Sequence, residues 1–265
     1  MDRFERAGQA FAELCRVMAR LRAPGGCPWD REQTLASLRT YLLEETHETL
    51  EAMDRGDPKA HREELGDLLL QIVFQTEITA EAGQFDVADV ADAIRAKLVR
   101  RHPHVFGDAK AESASGALAN WEAVKAKERD ATKSSVLDGV PRAMPALLRA
   151  FRTGEKAAAV GFDWADMTGA RAKVEEEWRE LTEHLAPTLD AAKASEELGD
   201  LLFALTSLGR HLAVNPEDAL RATIDKFHRR FRHVETQLAT RGRTPKDSTL
   251  EEMDALWDEA KALEK

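Results

Sequence analysis

The sequence predicts an all-α protein built from two homologous helical-bundle domains. Apolar residues recur at helical spacing along nearly the whole chain, and runs rich in β-branched and aromatic residues are few. Four sequence elements also occur twice in the same order, which marks an internal duplication. With 265 residues, either half is long enough to bury a core.

Taken in order, helices are expected near residues 3–22, 35–55, 59–83, 86–102 and 115–131. The second half repeats the pattern near 145–158, 168–185, 189–213, 216–241 and 249–264. Asn215 before Pro216 reads as an N-cap with a first-turn proline, and Ser248 with Glu251 reads as a capping box. Lys133 to Pro145, with Gly139, Pro141 and Pro145, reads as a linker. The domains expected are therefore 1–132 and 146–265, joined by 133–145.

Composition narrows the function classes. The chain is 43% hydrophobic and 32% charged, as in soluble globular proteins. Its two cysteines, Cys15 and Cys27, lack metal spacing and make no disulfide framework, so a reducing cytoplasm is expected. The start of the sequence lacks an apolar secretory core, and the most apolar stretch, Leu68 to Phe74, is far too short to span a bilayer. A net charge of −10 argues against nucleic acid, whose binding depends on Lys and Arg. An acidic protein that handles phosphates needs a cation or a local basic cluster.

Two copies of an acidic pattern supply the first. One copy is Glu45, Glu48, Glu64 and Asp67; the other is Glu177, Glu180, Glu197 and Asp200. The offset from Glu45 to Glu177 is 132 residues and from Glu64 to Glu197 it is 133, a difference of one loop residue. Each copy is E-x-x-E followed by E-L-G-D, and i,i+3 spacing puts both acids of a pair on one helix face. An isolated E-x-x-E is most often a solvated face. Here, however, Leu65 to Phe74 is apolar nearly all round and reads as a buried helix, and Leu201 to Leu205 follows Asp200 in the same way.

Carboxylates entering a core are costly unless paired or bound to metal. Gly66 and Gly199 each cost a helix about 1 kcal/mol relative to Ala, which a close helix–helix approach would offset. A metal site in each half is the reading favoured over an ion-pair network. Ligands that are all carboxylates favour Mg2+, with Mn2+ also compatible. The Glu-x-x-His of a di-iron site is missing, and His47 points away from the acids between which it lies.

The basic cluster is duplicated too. Lys97-Leu-Val-Arg-Arg101 matches Lys226-Phe-His-Arg-Arg230, and both continue to a His-Val, at His104 and His233. Lys97 with Arg101, and Lys226 with Arg230, each share a helix face as an i,i+4 pair. Trp121 with Lys125 matches Trp257 with Lys261. Opposite a metal–carboxylate site, these cations become the second half of a polyphosphate clamp, and the Trp side chains become candidate walls of a nucleotide pocket.

Together these residues resemble the MazG family of nucleoside triphosphate pyrophosphohydrolases in its two-domain bacterial form. The family pattern E-E-x-x-E with E-x-x-D is met by Glu44-Glu45-Thr-His-Glu48 with Glu64-Leu-Gly-Asp67. Glu176-Glu177-Trp-Arg-Glu180 with Glu197-Leu-Gly-Asp200 meets it again. Gly26-Cys-Pro-Trp-Asp30, Arg100-Arg-His-Pro-His-Val-Phe106 and Gly161-Phe-Asp-Trp164 also resemble family signatures, so the likeness runs essentially end to end.

The resemblance implies the all-α NTP pyrophosphohydrolase fold, a homodimer, and Mg2+-dependent hydrolysis of NTPs or dNTPs to monophosphate and pyrophosphate. It implies that the four acids of each half bind Mg2+ and that Lys226, Arg230, Trp257 and Lys261 contact the nucleotide. Their counterparts are Lys97, Arg101, Trp121 and Lys125. Glu44 and Glu176 are the candidates for holding the attacking water, and the basic residues would stabilise the leaving pyrophosphate. Lys173, four residues before Glu177, faces phosphate in this reading, whereas the equivalent first-half position is Tyr41. The C-terminal site is therefore expected to be the more active. Two alternatives stay open: a dUTP- or dCTP-specific pyrophosphatase, and a non-catalytic helical interaction module.

Overall fold

The computed structural model describes residues 1–128, 135–185 and 189–264. The last residues of the helix expected over 115–131, the 132/133 domain boundary and the first two linker residues lie outside these. The chain divides into two compact units, Met1–Arg129 and Asp130–Lys265. Among the described residues both contain only helices and turns, so the fold is all-α as the periodicity predicts.

In the first unit, α1 (Arg3–Arg22) starts at a capping box in which Asp2 and Glu5 accept from each other's backbone N–H. A short α2 (Pro28–Glu32) leads to the central hairpin of α3 (Leu38–Arg55) and α4 (Pro58–Glu81). Gly56, in the left-handed region at φ 65°, ends α3, and Asp57 caps α4 two positions before Lys59. Then come α5 (Val87–Arg101), α6 (Pro103–Phe106) and α7 (Ala114–Lys127). The second unit repeats the plan with α8 (Ala146–Ala158), the hairpin of α9 (Met167–Glu183) and α10 (Ala191–His211), then α11 (Pro216–Thr240) and α12 (Leu250–Leu263).

Asn215 caps α11 as expected, accepting from the Glu217 N–H. The last capping box is one residue later than the spacing suggested. Thr249, not Ser248, is the cap and Glu252 its partner, because a 3-10 turn over Pro245–Asp247 occupies Ser248.

The cores explain the helix pairs. Met18, Leu38, Val73 and Phe74 are buried together, and Leu21, Tyr41, Leu70 and Ile78 pack around them, fastening α1 to the α3–α4 hairpin. In the second unit Leu181, Ala194 and Leu201 join α9 to α10, while Val234, Leu238 and Leu256 join α11 to α12.

Two expectations about the E-L-G-D helices fail. These helices are not buried all round: Leu65 and Ile72 are 46% and 41% exposed, and Leu198, Leu202 and Leu205 are 47%, 43% and 43% exposed. Nor do Gly66 and Gly199 mark a close helix approach, since a Cβ on either would meet nothing within 4 Å. The hairpin uses one face of each helix for packing within the unit, and the opposite apolar face stands open. Phe74→Ala, at 2% exposure, is expected to lower stability by about 3–5 kcal/mol through the cavity it leaves. The same truncation at the half-exposed Phe203 should cost far less, a contrast that denaturant titration of the full chain would measure.

Candidate metal and nucleotide site

Each hairpin brings its acids together from two helices. In the first unit, carboxylate oxygens of Glu45, Glu48 and Glu64 lie within 4.8 Å of one another. In the second, Glu177, Glu197 and Asp200 do the same. The hairpin is fixed at that level by Thr49, whose hydroxyl lies 2.7 Å from the Glu45 carbonyl and 3.4 Å from the Glu64 carbonyl across the helix pair.

The fourth acid of each quartet sits at the margin of its cluster and is felt through its charge. Burial, then Asp67, Glu48, Glu64 and Glu44, pushes the Glu45 carboxyl above the usual range. Burial and the charges of Glu48 and Asp67 do the same to Glu64. Glu197 is raised by burial, then by Glu180, Glu177 and Asp200. Converging oxygens that repel one another are a donor set suited to a hard cation, which would relieve the repulsion.

The clusters differ in one cation. The Lys173 ammonium lies 2.6 Å from Glu177 and 2.9 Å from Glu176, and these two hydrogen bonds, Glu177 first, raise its pKa. Glu177 is buried. Tyr41, in the equivalent place, instead packs into the first unit's core, its ring 5.8 Å from Trp29 in an edge-to-face contact. Lys173 and Glu177 lie on one helix face, as their four-residue spacing implies.

Beside the second cluster opens a cavity of about 580 Å³. Glu177 and Asp200 belong both to the acid cluster and to its wall, with Lys173 between cluster and cavity. Phe162, Trp164 and Phe203 form much of the rest. Arg210 closes one side through a two-point ion pair with Asp163, both contacts at 2.5 Å, and this holds the Asp163 carboxyl down at about 2. Sequence reasoning noted Asp163 only as part of the Gly161–Trp164 signature, and nothing in the sequence pointed to Arg210.

The basic and Trp elements form their own cluster. Arg230 lies 5.7 Å over the Trp257 ring and is held by Glu264 at 2.6 Å; Phe227 adds a ring contact at 4.9 Å. Lys261 pairs with Asp258 at 2.8 Å, and Lys226 is half-buried on α11. The first unit repeats this with Arg101 5.1 Å over Trp121 and 2.5 Å from Glu128, Lys125 following on α7 and Lys97 exposed on α5. Among the described residues, no hydrogen bond, ion pair or ring contact joins Lys226, Arg230, Trp257 or Lys261 to an acid of the quartets. The two halves of the expected clamp are therefore separate clusters within one chain. Glu128 and Glu264 were missed, although each stands seven residues after its Trp, a third member of the repeat visible in the sequence.

A model of the MazG nucleotide pyrophosphohydrolase domain matches the chain twice, over residues 33–106 and 167–235, covering both acid hairpins. The nucleoside triphosphate pyrophosphohydrolase of Escherichia coli (strain K12) is 47% identical over 254 residues, 95% of this chain and 97% of that protein. The Thermotoga maritima protein named nucleoside triphosphate pyrophosphohydrolase/pyrophosphatase MazG is 44% identical over 255 residues, 96% of this chain and 97% of its own length. A Mycobacterium tuberculosis nucleoside triphosphate pyrophosphohydrolase is 42% identical over 156 residues, 58% of this chain and 46% of that protein. With two matched domains, each holding a converging carboxylate cluster, this chain belongs to the MazG family.

Proposed function

We infer that the chain is a hydrolase that cleaves nucleoside triphosphates, ribo and deoxy alike, to the monophosphate and pyrophosphate, in nucleotide-pool house-cleaning. The observation that carries this reading is the pair of carboxylate clusters, each with oxygens within 4.8 Å, in a chain of this family. Each of the two domains, 1–132 and 146–265, carries one site. Glu45, Glu48, Glu64 and Asp67 hold the divalent cation in the first, and Glu177, Glu180, Glu197 and Asp200 hold it in the second. Mg2+ is the proposed ion, with Mn2+ as a substitute, because every donor is a hard oxygen. When bound, such an ion offsets the repulsion between acids and triphosphate and polarises the attacked phosphorus.

The chain's own groups do the rest. Glu176 and Glu44 orient the attacking water and take up its proton as general bases. Lys173, now bridging Glu176 and Glu177, turns to a phosphate oxygen when the acids are otherwise neutralised. Lys226, Arg230 and Lys261 stabilise the charge of the leaving pyrophosphate, and Trp257 contacts the nucleotide; Lys97, Arg101, Trp121 and Lys125 are their first-unit counterparts. These clusters meet the acids in a homodimer, whose interface would cover the open apolar faces of α4 and α10. The C-terminal site is the more active, since only it has Lys173. Cytoplasm is the proposed location; among the described residues no helix is long and apolar enough to cross a membrane.

The direct test is Glu48→Gln combined with Glu180→Gln. NTP hydrolysis is expected to fall at least about a hundredfold, on the scale of losing transition-state charge stabilisation. Undiminished pyrophosphate release would show that the acids are not the site.

Proton and metal compete for the same oxygens. Because the folded-state pKa values of Glu45, Glu64 and Glu197 are raised, their ionisation costs stability above those values, and the cost vanishes as pH falls below the unfolded values. The rise in Tm on adding Mg2+ should therefore be larger at pH 8 than at pH 5. Glu64→Gln should leave the metal-free protein no less stable while shrinking the Mg2+ response. Calorimetric scans with and without the ion measure both.

A further inference from the structure

The Arg–Trp clusters of the two units share a third residue, and they share it atom for atom. In the second unit the Arg230 Nε and Nη2 both donate to one oxygen of Glu264, Oε2, at 2.8 and 2.6 Å. In the first unit the Arg101 Nε and Nη2 donate to Oε2 of Glu128, at 2.8 and 2.5 Å. The preceding arginine lies nearer the other oxygen each time: Arg100 is 2.5 Å from Oε1 of Glu128, and Arg229 is 3.8 Å from Oε1 of Glu264. Each Glu stands seven residues after the Trp beneath its arginine, which is about two helical turns and so the same face.

This recurrence is not a by-product of repeated spacing. From Arg101 to Arg230 is 129 residues, whereas from Trp121 to Trp257 and from Glu128 to Glu264 it is 136. The second unit thus has seven more residues between arginine and tryptophan. The connection itself is rebuilt, with α6 in the first unit and a longer α11 followed by a 3-10 turn in the second. Both routes end in the same contacts. An ion pair at a helix end, its carboxylate within reach of water, contributes little to stability, so stability gives no reason to rebuild this one.

What the contacts achieve is to fix a guanidinium on two sides. The rings of Trp121, at 5.1 Å, and Trp257, at 5.7 Å, lie against one face and set the tilt of its plane. The carboxylate takes the Nε–Nη2 edge and sets the rotation within that plane. The second fork of the group, Nη1 with the other hydrogen of Nη2, is left over. Among the described residues, Nη1 of neither Arg101 nor Arg230 has a hydrogen-bond or ion-pair partner. The arginine side chains are otherwise largely covered, at 14% and 19% exposure. A planar fork held in one orientation is the form in which arginine recognises phosphate oxygens in pairs.

We propose that Glu264, and Glu128 in the first unit, are positioning residues: each holds its arginine, Arg230 or Arg101, against Trp257 or Trp121 with the free fork presented to one phosphate group. Neither Glu touches the substrate. Each acts through its arginine, whose rotamers would otherwise have to be frozen as the phosphate binds. The proposal rests on the reading above that these arginines meet the triphosphate.

Two variants of the full-length protein separate orientation from charge. Glu264→Gln and Glu264→Ala both delete the negative charge, but only the Gln amide keeps an acceptor oxygen for Nε and Nη2. In calorimetric titration, inorganic tripolyphosphate should bind Glu264→Ala about threefold to tenfold more weakly than Glu264→Gln, the cost of immobilising one long side chain. The kcat/KM for ATP should fall in the same order. Arginine side-chain NMR without ligand should show a slowly exchanging Arg230 Nε–H in the unmodified protein and in Glu264→Gln, and its loss in Glu264→Ala. Arg101 should respond in the same way to Glu128→Gln and Glu128→Ala. Tripolyphosphate bound by Glu264→Ala as tightly as by Glu264→Gln, or more tightly, overturns the proposal, as does an Arg230 Nε–H signal that survives in Glu264→Ala. Should the unmodified protein cleave no NTP, the functional reading fails by itself; the tripolyphosphate titrations and the Nε–H signals then decide the positioning role separately.

Discussion

Everything in the candidate site depends on forcing ionised carboxylates together at the crossing of two helices. Glu45, Glu64 and Glu197 have raised pKa values because burial and their neighbours disfavour charge, so the arrangement works against the fold. It survives because the hairpins are secured elsewhere: by Met18, Leu38, Val73 and Phe74 in the first unit, and by Leu181, Ala194 and Leu201 in the second. Apolar packing a turn or two along each helix offsets the repulsion and leaves the oxygens pointing at one place. A site held in that way gains most when a cation arrives, since binding relieves strain that the fold already carries.

The second unit partly relieves the repulsion with a residue of its own. Lys173 places an ammonium 2.6 Å from Glu177, whose side chain is buried, and a charge there without a partner would be expensive. The first unit has no such cation at Tyr41, and burial and like charges dominate at Glu45. One substitution between duplicated halves thus changes both the electrostatics of the acids and the packing around them. Tyr41 contributes its ring to the core, whereas Lys173 contributes its charge to the site.

Helix identity and the repeated acids were legible in the sequence because both depend on spacing along one chain. The i,i+3 pairing of Glu177 with Glu180, or of Glu197 with Asp200, follows from helix geometry alone, and so does the placement of Lys173 one turn before Glu177. What was not legible depends on contacts across space. Leu65 and Leu202 looked buried because periodicity reports an apolar face without saying which molecule covers it. The Asp163–Arg210 pair joins residues 47 positions apart, and neither carries a local signal for the other. The capping box at Thr249 slipped by one residue because Ser248 is as good a cap by type, and only the preceding 3-10 turn decides between them.

A duplicated helical unit must bury a core, and that requirement competes with keeping a cavity open. The first unit settles the competition toward packing: Leu38, Tyr41, Leu70 and Phe74 fill the space between α1 and the hairpin. The second carries smaller or charged residues at three of those four positions and replaces part of the lost packing with the Asp163–Arg210 pair and with Trp164 on Gly169. The buried cluster of its acid hairpin is correspondingly small, Leu181, Ala194 and Leu201 with Val174 beside them. Opening a pocket removes apolar contacts that would otherwise stabilise the unit. Duplication allows one copy to accept that loss while the other retains a filled core. The acids recur in both copies because a carboxylate cluster needs only the hairpin; a pocket needs the core to give way, as it does beside the second unit's acids.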